Sequence, residues 1–124
     1  MTKSDDHLLA IRTIAMPGDT NPAGDIFGGW LMSQMDLAAG NTAAHIAKGR
    51  CATVRVEAMN FIALVKVGDE VTCYTRLVKK GRTSLTIDVE AWRRARDQDE
   101  SVKVTEAVFV FVALDSDGKP RVLT

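Results

Sequence analysis

The 124 residues carry 16 Lys and Arg against 16 Asp and Glu, with 46% hydrophobic and 26% charged side chains, the balance of one ordinary globular domain spanning 1–124. A chain of this length removes roughly two thirds of its unfolded surface from water without disulfide or metal staples. Zero net charge excludes a dedicated nucleic-acid binder, which needs surplus Lys and Arg to displace phosphate counterions, and it excludes a polybasic membrane anchor.

In chain order, the N-terminal MTKSDDHLLAIRT has no basic start followed by a long apolar run, so no export signal is expected and the location reads as cytoplasmic. Residues 8–14, LLAIRTI, predict a short first strand. The loop MPGDTNPAGD then concentrates Pro17, Gly18, Asp19, Asn21, Pro22, Gly24 and Asp25, a density of turn-forming residues that predicts a rigid, shaped loop. Within it, the Asn21 amide can orient a water or bind a carbonyl. Asp25 is placed to cap the next helix by accepting its first N–H groups.

Residues 28–47, GGWLMSQMDLAAGNTAAHIA, hold the one long helical pattern, with Leu31, Met35, Ala39, Thr42 and Ile46 at helical spacing. Asp36 is its single formal charge. Gln34, Asp36, Asn41 and His45 interrupt it too often for a membrane span, so so apolar a helix is expected to be buried on most sides. Four strands follow. Val54, Val56 and Ala58 alternate with Thr53, Arg55 and Glu57; a turn at Gly68-Asp69 leads into VTCYTRLV; KKGR turns the chain into TSLTIDVEAW; and RARDQDES precedes VKVTEAVFVFVAL, apolar on both faces near its end like a central strand. Strand, helix and four hairpin-linked strands predict an α+β architecture, a five-stranded antiparallel sheet packed on one long helix. One helix covers little of such a sheet, so a second copy is expected against the remaining surface or edge.

Charge is sorted along the chain. Residues 1–47 hold two bases against five acids, whereas residues 76–96 hold Arg76, Lys79, Lys80, Arg82, Arg93, Arg94 and Arg96 against two acids. Such a basic hairpin is either a solvated surface or a seat for an anionic ligand, since screening limits each charge to roughly 8 Å. Cys51 and Cys73 have neither CxxC spacing nor a His nearby, and His7 and His45 lack partners at metal-ligand spacing, so no metal site is expected. The cysteines read as buried thiols of a reducing compartment, and both histidines as structural.

Asp36 is the residue most in need of explanation, because a carboxylate in an apolar helix costs several kcal/mol to desolvate unless paired or opened to a cleft. Gly29, Ser33, Asp36 and Gly40 share one stripe, with small neighbours leaving room beside the carboxylate. The residue is either catalytic or bonded to the loop or a partner helix. The Gly28 and Gly29 amides at the helix start form either an oxyanion hole or simply a tight turn. Gly29 and Asp36 lie roughly 10 Å apart along the axis, so one helix cannot readily bring both to one carbonyl. If both are catalytic, antiparallel helices from two protomers must share the site. No GxSxG elbow, Ser-His-Asp arrangement, P-loop or dinucleotide fingerprint is present.

The stretch NPAGDIFGGWLMSQMD, with Asn21, Gly24, the Gly28-Gly29 pair and Asp36, resembles the hotdog-fold acyl-CoA thioesterases, in particular the bacterial YciA-type acyl-CoA hydrolases. The resemblance continues through VRVEAMNF, KKGRTS and EAVFVFVALDSDGKP. It departs from many of that family at Phe27, where a His often precedes the glycine pair. It implies a helix wrapped by an antiparallel sheet, a homodimer that assembles to a hexamer, and hydrolysis of acyl-CoA with CoA as product and no cofactor. Asp36 is then base or nucleophile, the partner's glycine amides hold the oxyanion, and Asn21 positions water or carbonyl. Asn60 is implied to line the pantetheine tunnel, and Arg82, Thr83 and Ser84 to meet the CoA phosphates. The alternative is a hotdog module that binds acyl-CoA without cleaving it.

Overall fold

A computed structural model describes residues 6–124. Strand β1 (Leu8–Ile14) is followed by a 3₁₀ turn at Pro17–Asp19, helix α1 (Gly28–Ala47), and strands β2 (Cys51–Phe61), β3 (Glu70–Lys80), β4 (Ser84–Arg94) and β5 (Ser101–Ala113). All five strands join one antiparallel sheet in the order β1-β3-β4-β5-β2. No helix among the described residues is long and apolar enough to cross a membrane.

The sheet order corrects one expectation. β2 and β3 are not a hairpin: β2 lies at one edge against β5, and β3 sits between β1 and β4. Residues 62–69 make the crossing. They hold it in place with Ile62 N–H donating to the Val104 carbonyl at 2.7 Å and Ile26 N–H to the Val65 carbonyl at 3.1 Å, while Val65 itself is fully buried. An apolar run of that length anchors to the loop before α1 and to β5; it is too long for a tight turn and too well packed for a free loop.

Leu85, Ile87 and Val89 on β4 and Phe109 and Phe111 on β5 form the buried inner face, and α1 lays Leu31, Met35, Ala38, Ala39, Ala43 and Ala47 on it. The alanines keep the helix surface shallow, which lets the sheet curl closely around it. Register shifts at five places, one each in the β1–β3, β3–β4 and β4–β5 pairs and two in β2–β5, supply bends for that curl. At its C-terminus the helix turns through Lys48 in the left-handed region, φ 58°, and Arg121 donates from Nη2 to the Ala47 carbonyl at 2.6 Å, placing a cation at the negative end of the helix.

Burial on most sides is not what the single chain shows. Met32, Ser33, Leu37 and Asn41 form an exposed stripe, Leu37 with 61% of its surface accessible. One sheet can cover only one side of a helix: Leu31, Met35 and Ala39 of the periodic stripe lie on the covered side, while the apolar Met32 and Leu37 are left on the uncovered one.

Candidate active site

Asp36 lies on the third turn of α1, at the boundary between the covered and uncovered sides. Its Oδ1 accepts a hydrogen bond from the Thr53 hydroxyl of β2 at 2.6 Å, which fixes the carboxylate's orientation. Gly29, Met32 and Ser33 of the helix, Thr53 and Val56 of β2 and the ring of Phe109 line an open cavity of about 270 Å³ beside it. Ser33 donates back to the Trp30 carbonyl at 2.7 Å and so is tied to its own helix.

Thr53 is the functional candidate that sequence periodicity misses. Strict alternation puts Thr53 on the face opposite Val56. The register instead pairs Thr53 with Phe111, Arg55 with Val110 and Val56 with Phe109, so Val54 is an extra residue in a β-bulge. The bulge carries Thr53 to the inner face together with Val56, toward the helix. A hydroxyl on an alternating strand is its only trace in the sequence.

At the helix start, Phe27 occupies the N-cap position and makes no side-chain cap. Among the described residues the Gly28 and Gly29 amides find no acceptor, as the first amides of an uncapped helix do not. The glycines also make room for aromatic rings: a Cβ on Gly28 would stand 3.1 Å from the Phe61 ring, and one on Gly29 2.9 Å from the Phe27 ring. Gly29 faces the Asp36 cavity. Gly28 faces a separate one of about 280 Å³, which Asn21, Asp25 and Phe61 also line. Within one chain, then, Asn21 and Gly28 open on one space and Asp36 on another.

Asn21 builds the loop it stands in. Its Oδ1 accepts from the Ala23 and Asp25 amides at 3.0 and 3.1 Å, its own amide donates to the Asp25 carbonyl at 2.7 Å, and Gly24, at φ 89°, closes the turn. That leaves the Nδ2 hydrogens as the polar group Asn21 can offer a ligand. Asp25 does not cap the helix, contrary to expectation. The chain continues two residues beyond it to Phe27 before the helix begins, and its carboxylate instead faces Lys66 Nζ at 3.6 Å.

The remaining candidates sit elsewhere. Asn60 pairs with Glu106 on the outer face of the sheet, after a second bulge in which Ala58 adopts φ 50°, and shares a recess with Asp88, Glu106 and Val108. The helix packs on the other face, so Asn60 and Asp36 are not brought together in one chain. Arg82, Thr83 and Ser84 form the β3–β4 turn, where the Thr83 carbonyl accepts from Ala113 N–H at 2.9 Å and Arg82 stays exposed. Ser84 pairs with Val112, whereas Asn60 pairs with Glu106, which separates them by six residues of β5, roughly 20 Å. Part of the basic surplus is paired internally: Arg94 meets Glu70 at 3.4 Å, and Arg76 meets Asp6 at 3.3 Å.

His7 is buried, and its Nε2 lies 2.8 Å from Asp88 Oδ2 and 3.9 Å from Glu90 Oε2, a grouping across 81 positions that no local spacing reveals. Arg76 at 3.8 Å from Asp88 and Lys103 at 3.5 Å from Glu90 face the same carboxylates, which makes the group an ion-pair network on the outer face. Both cysteines are free thiols. Burial pushes Cys73 up to about 12 and raises Cys51 as well, the latter partly offset by Arg121.

Against known proteins, the family model described as the Thioesterase superfamily matches residues 23–99. The chain is 54% identical over 118 residues to the acyl-CoA thioester hydrolase YciA of Salmonella typhimurium, covering 93% of this chain and 89% of that protein. The Escherichia coli K12 protein of the same name is 53% identical over the same shares. Among solved structures, the hexameric thioesterase y2039 from Yersinia pestis superposes with a TM-score of 0.93 at 50% identity, covering 98% of each chain. The hexameric hotdog fold thioesterase of Campylobacter jejuni gives 0.91 at 34% identity over 98% and 93%. The likeness extends over nearly the whole chain in sequence and in fold, and the chain belongs to the thioesterase superfamily as a hotdog-fold member.

Proposed function

We propose that this protein hydrolyses acyl-CoA thioesters to a free carboxylic acid and CoA, as a single hotdog domain over residues 1–124. The observation that carries the reading is the Asp36 carboxylate, oriented by Thr53 and facing a largely apolar cavity. A water held by Asp36 attacks the thioester carbonyl as the carboxylate takes its proton; the tetrahedral intermediate collapses with cleavage of the C–S bond, and that proton leaves with the CoA thiol. Direct attack by Asp36, forming a mixed anhydride that water then opens, uses the same geometry. Single turnover in ¹⁸O-water tests the anhydride route: opening at the Asp36 carbonyl leaves label in that carboxylate, which direct attack of water on the thioester never does.

The Gly28 and Gly29 amides and the Asn21 Nδ2 group stabilise the oxyanion and position water from the partner protomer. Two facts support this division for Gly28 and Asn21: they open on a different cavity from Asp36, whereas Gly29 faces the Asp36 cavity of its own chain, and the uncovered helix stripe bearing Met32 and Leu37 needs a second surface. Assembly to a hexamer of three dimers follows by extension from the relatives whose structures are described as hexameric. Arg82, with Thr83 and Ser84 in its turn, meets the CoA phosphates. Asn60 lies on the outer face of its own chain, so it lines the pantetheine path where another protomer's site meets that face. Asp25 supports the loop. A thioester has a good leaving group and a weakly stabilised carbonyl, so the reaction requires neither metal nor cofactor. The free thiols fit a cytoplasmic setting.

The test is thiol release from acetyl-, butyryl- and longer acyl-CoAs. Release above background is expected; tight acyl-CoA binding with no release from any of them would instead identify a binding module.

A further inference from the structure

We infer that residues 119–124 brace the β3–β4 turn for its contact with the CoA phosphates, with Arg121 and Leu123 as positioning residues that act through Arg82. The inference rests on the Arg82 phosphate contact proposed above. Charges in the basic hairpin fall into two groups. Arg76 and Arg94 pair with Asp6 and Glu70, whereas Lys79, Lys80 and Arg82, at the turn end, have no acidic partner within 4.0 Å among the described residues. A positive patch without internal counter-charges attracts phosphate. A flexible turn, however, must be ordered when the ligand binds, and that cost subtracts from affinity.

This turn is held in advance. Gly81 N–H donates to the Ser84 carbonyl at 2.8 Å, and Ala113 N–H of β5 donates to the Thr83 carbonyl at 2.9 Å. The Arg82 carbonyl is held from outside the sheet, by Leu123 N–H at 2.8 Å, and the Lys80 ammonium donates to the Thr124 main-chain oxygen at 2.8 Å. The segment that supplies these contacts is itself anchored. Asp115 Oδ1 accepts from the Asp117 and Lys119 amides at 2.9 and 3.0 Å and, with Gly118 at φ 78°, folds the chain back. Arg121 then ties it to the end of α1: besides its Nη2 bond to the Ala47 carbonyl, its Nε donates to the Leu114 carbonyl at 3.2 Å and its amide to the Ala113 carbonyl at 2.9 Å. Gly49 leaves room for this, since a Cβ there would stand 3.0 Å from Nη2. Leu123 packs its side chain against the core. A chain of fixed groups thus runs from the helix end through Arg121 and Leu123 to the main chain of Arg82, while the Arg82 side chain stays exposed for a ligand.

The experiment compares Leu123→Pro, which removes the N–H that holds the Arg82 carbonyl, with Leu123→Ala, which keeps it. Arg121→Ala loosens the anchor instead and stands in if Leu123→Pro does not fold. The readouts are kcat and KM for butyryl-CoA and for butyryl-pantetheine, and the Kd of CoA by calorimetry. Leu123→Pro is expected to raise KM for butyryl-CoA and Kd for CoA about fivefold, the contribution of one net hydrogen bond. Its kcat and its butyryl-pantetheine kinetics should stay within about twofold of wild type. Leu123→Ala should recover most of the loss. In an Arg82→Ala background the proline should add less than about twofold, because the brace acts through the arginine. Unchanged constants in the folded variants, an equal rise in KM for both thioesters, or an undiminished effect on top of Arg82→Ala would overturn the inference and leave the segment a purely structural closure. If Arg82→Ala alone leaves KM and Kd unchanged, the phosphate contact itself fails, and the inference falls with it.

Discussion

Asp36→Asn separates chemistry from architecture at the proposed site. The amide keeps the size of the carboxylate, and its Oδ1 still accepts the Thr53 hydroxyl now held at 2.6 Å, so the interaction that orients the residue survives. What is lost is proton acceptance or nucleophilicity. General-base catalysis contributes about 10²- to 10⁴-fold, so kcat should fall by that factor. The melting temperature should stay within about 2 °C, whereas Asp36→Ala, which also removes a hydrogen bond worth about 1 kcal/mol, should lower it by about 4 °C in a domain of this size. Thiol release from butyryl-CoA measures the first quantity and a thermal melt with size-exclusion chromatography the second. Retention of more than a tenth of wild-type kcat in Asp36→Asn would refute the catalytic assignment. Loss of fold or assembly in step with activity would assign the residue a structural role instead.

Four further outcomes follow from the geometry. Thr53→Val frees the carboxylate and should lower kcat about tenfold with little change in KM, as expected of a positioning contact; Thr53→Ser, which keeps the hydroxyl, should restore most of it. Asp25→Ala removes a pairing to an exposed lysine at 3.6 Å and should cost less than about 1 kcal/mol by chemical denaturation; a larger loss would show that the carboxylate supports the loop more than this contact implies. Arg82→Ala should raise KM for acyl-CoA several-fold and leave the corresponding pantetheine thioester unaffected, and equal effects on both would remove the phosphate contact. Cys73, buried and pushed up to about 12, should resist thiol reagents in the native protein at pH 8 and become reactive in denaturant; fast native labelling, read by mass spectrometry, would contradict its burial.

The helix was legible to the residue, Gly28 to Ala47, because a glycine pair opens it, one period runs through it and Lys48-Gly49 ends it. Each strand was legible to within a few positions from alternation, apolar runs and the turns between them. Connectivity was not. Whether β2 lies beside β3 or β5 depends on pairing partners some fifty residues away, about which local pattern says nothing. The same limit hid Thr53, whose face is decided by a bulge that exists only in register with β5. Asp25 was misread for a related reason: its spacing from the helix suits a cap, but the turn built by Asn21 directs its carboxylate elsewhere. Asp36 stood out early because an isolated charge in an apolar helix is an energetic anomaly visible without any structure.

The pairing of β2 with β5 also governs when the site can exist. Asp36 and Thr53 emerge close together during synthesis, but the strand that bears Thr53 is held at its edge by the last strand of the chain, Cys51 opposite Ala113. Until β5 has left the ribosome, nothing holds the hydroxyl against the carboxylate, and the cavity lining lacks Phe109. The proposed hydrolytic centre therefore matures late and all at once, and a nascent chain stalled before β5 should have no productive active site.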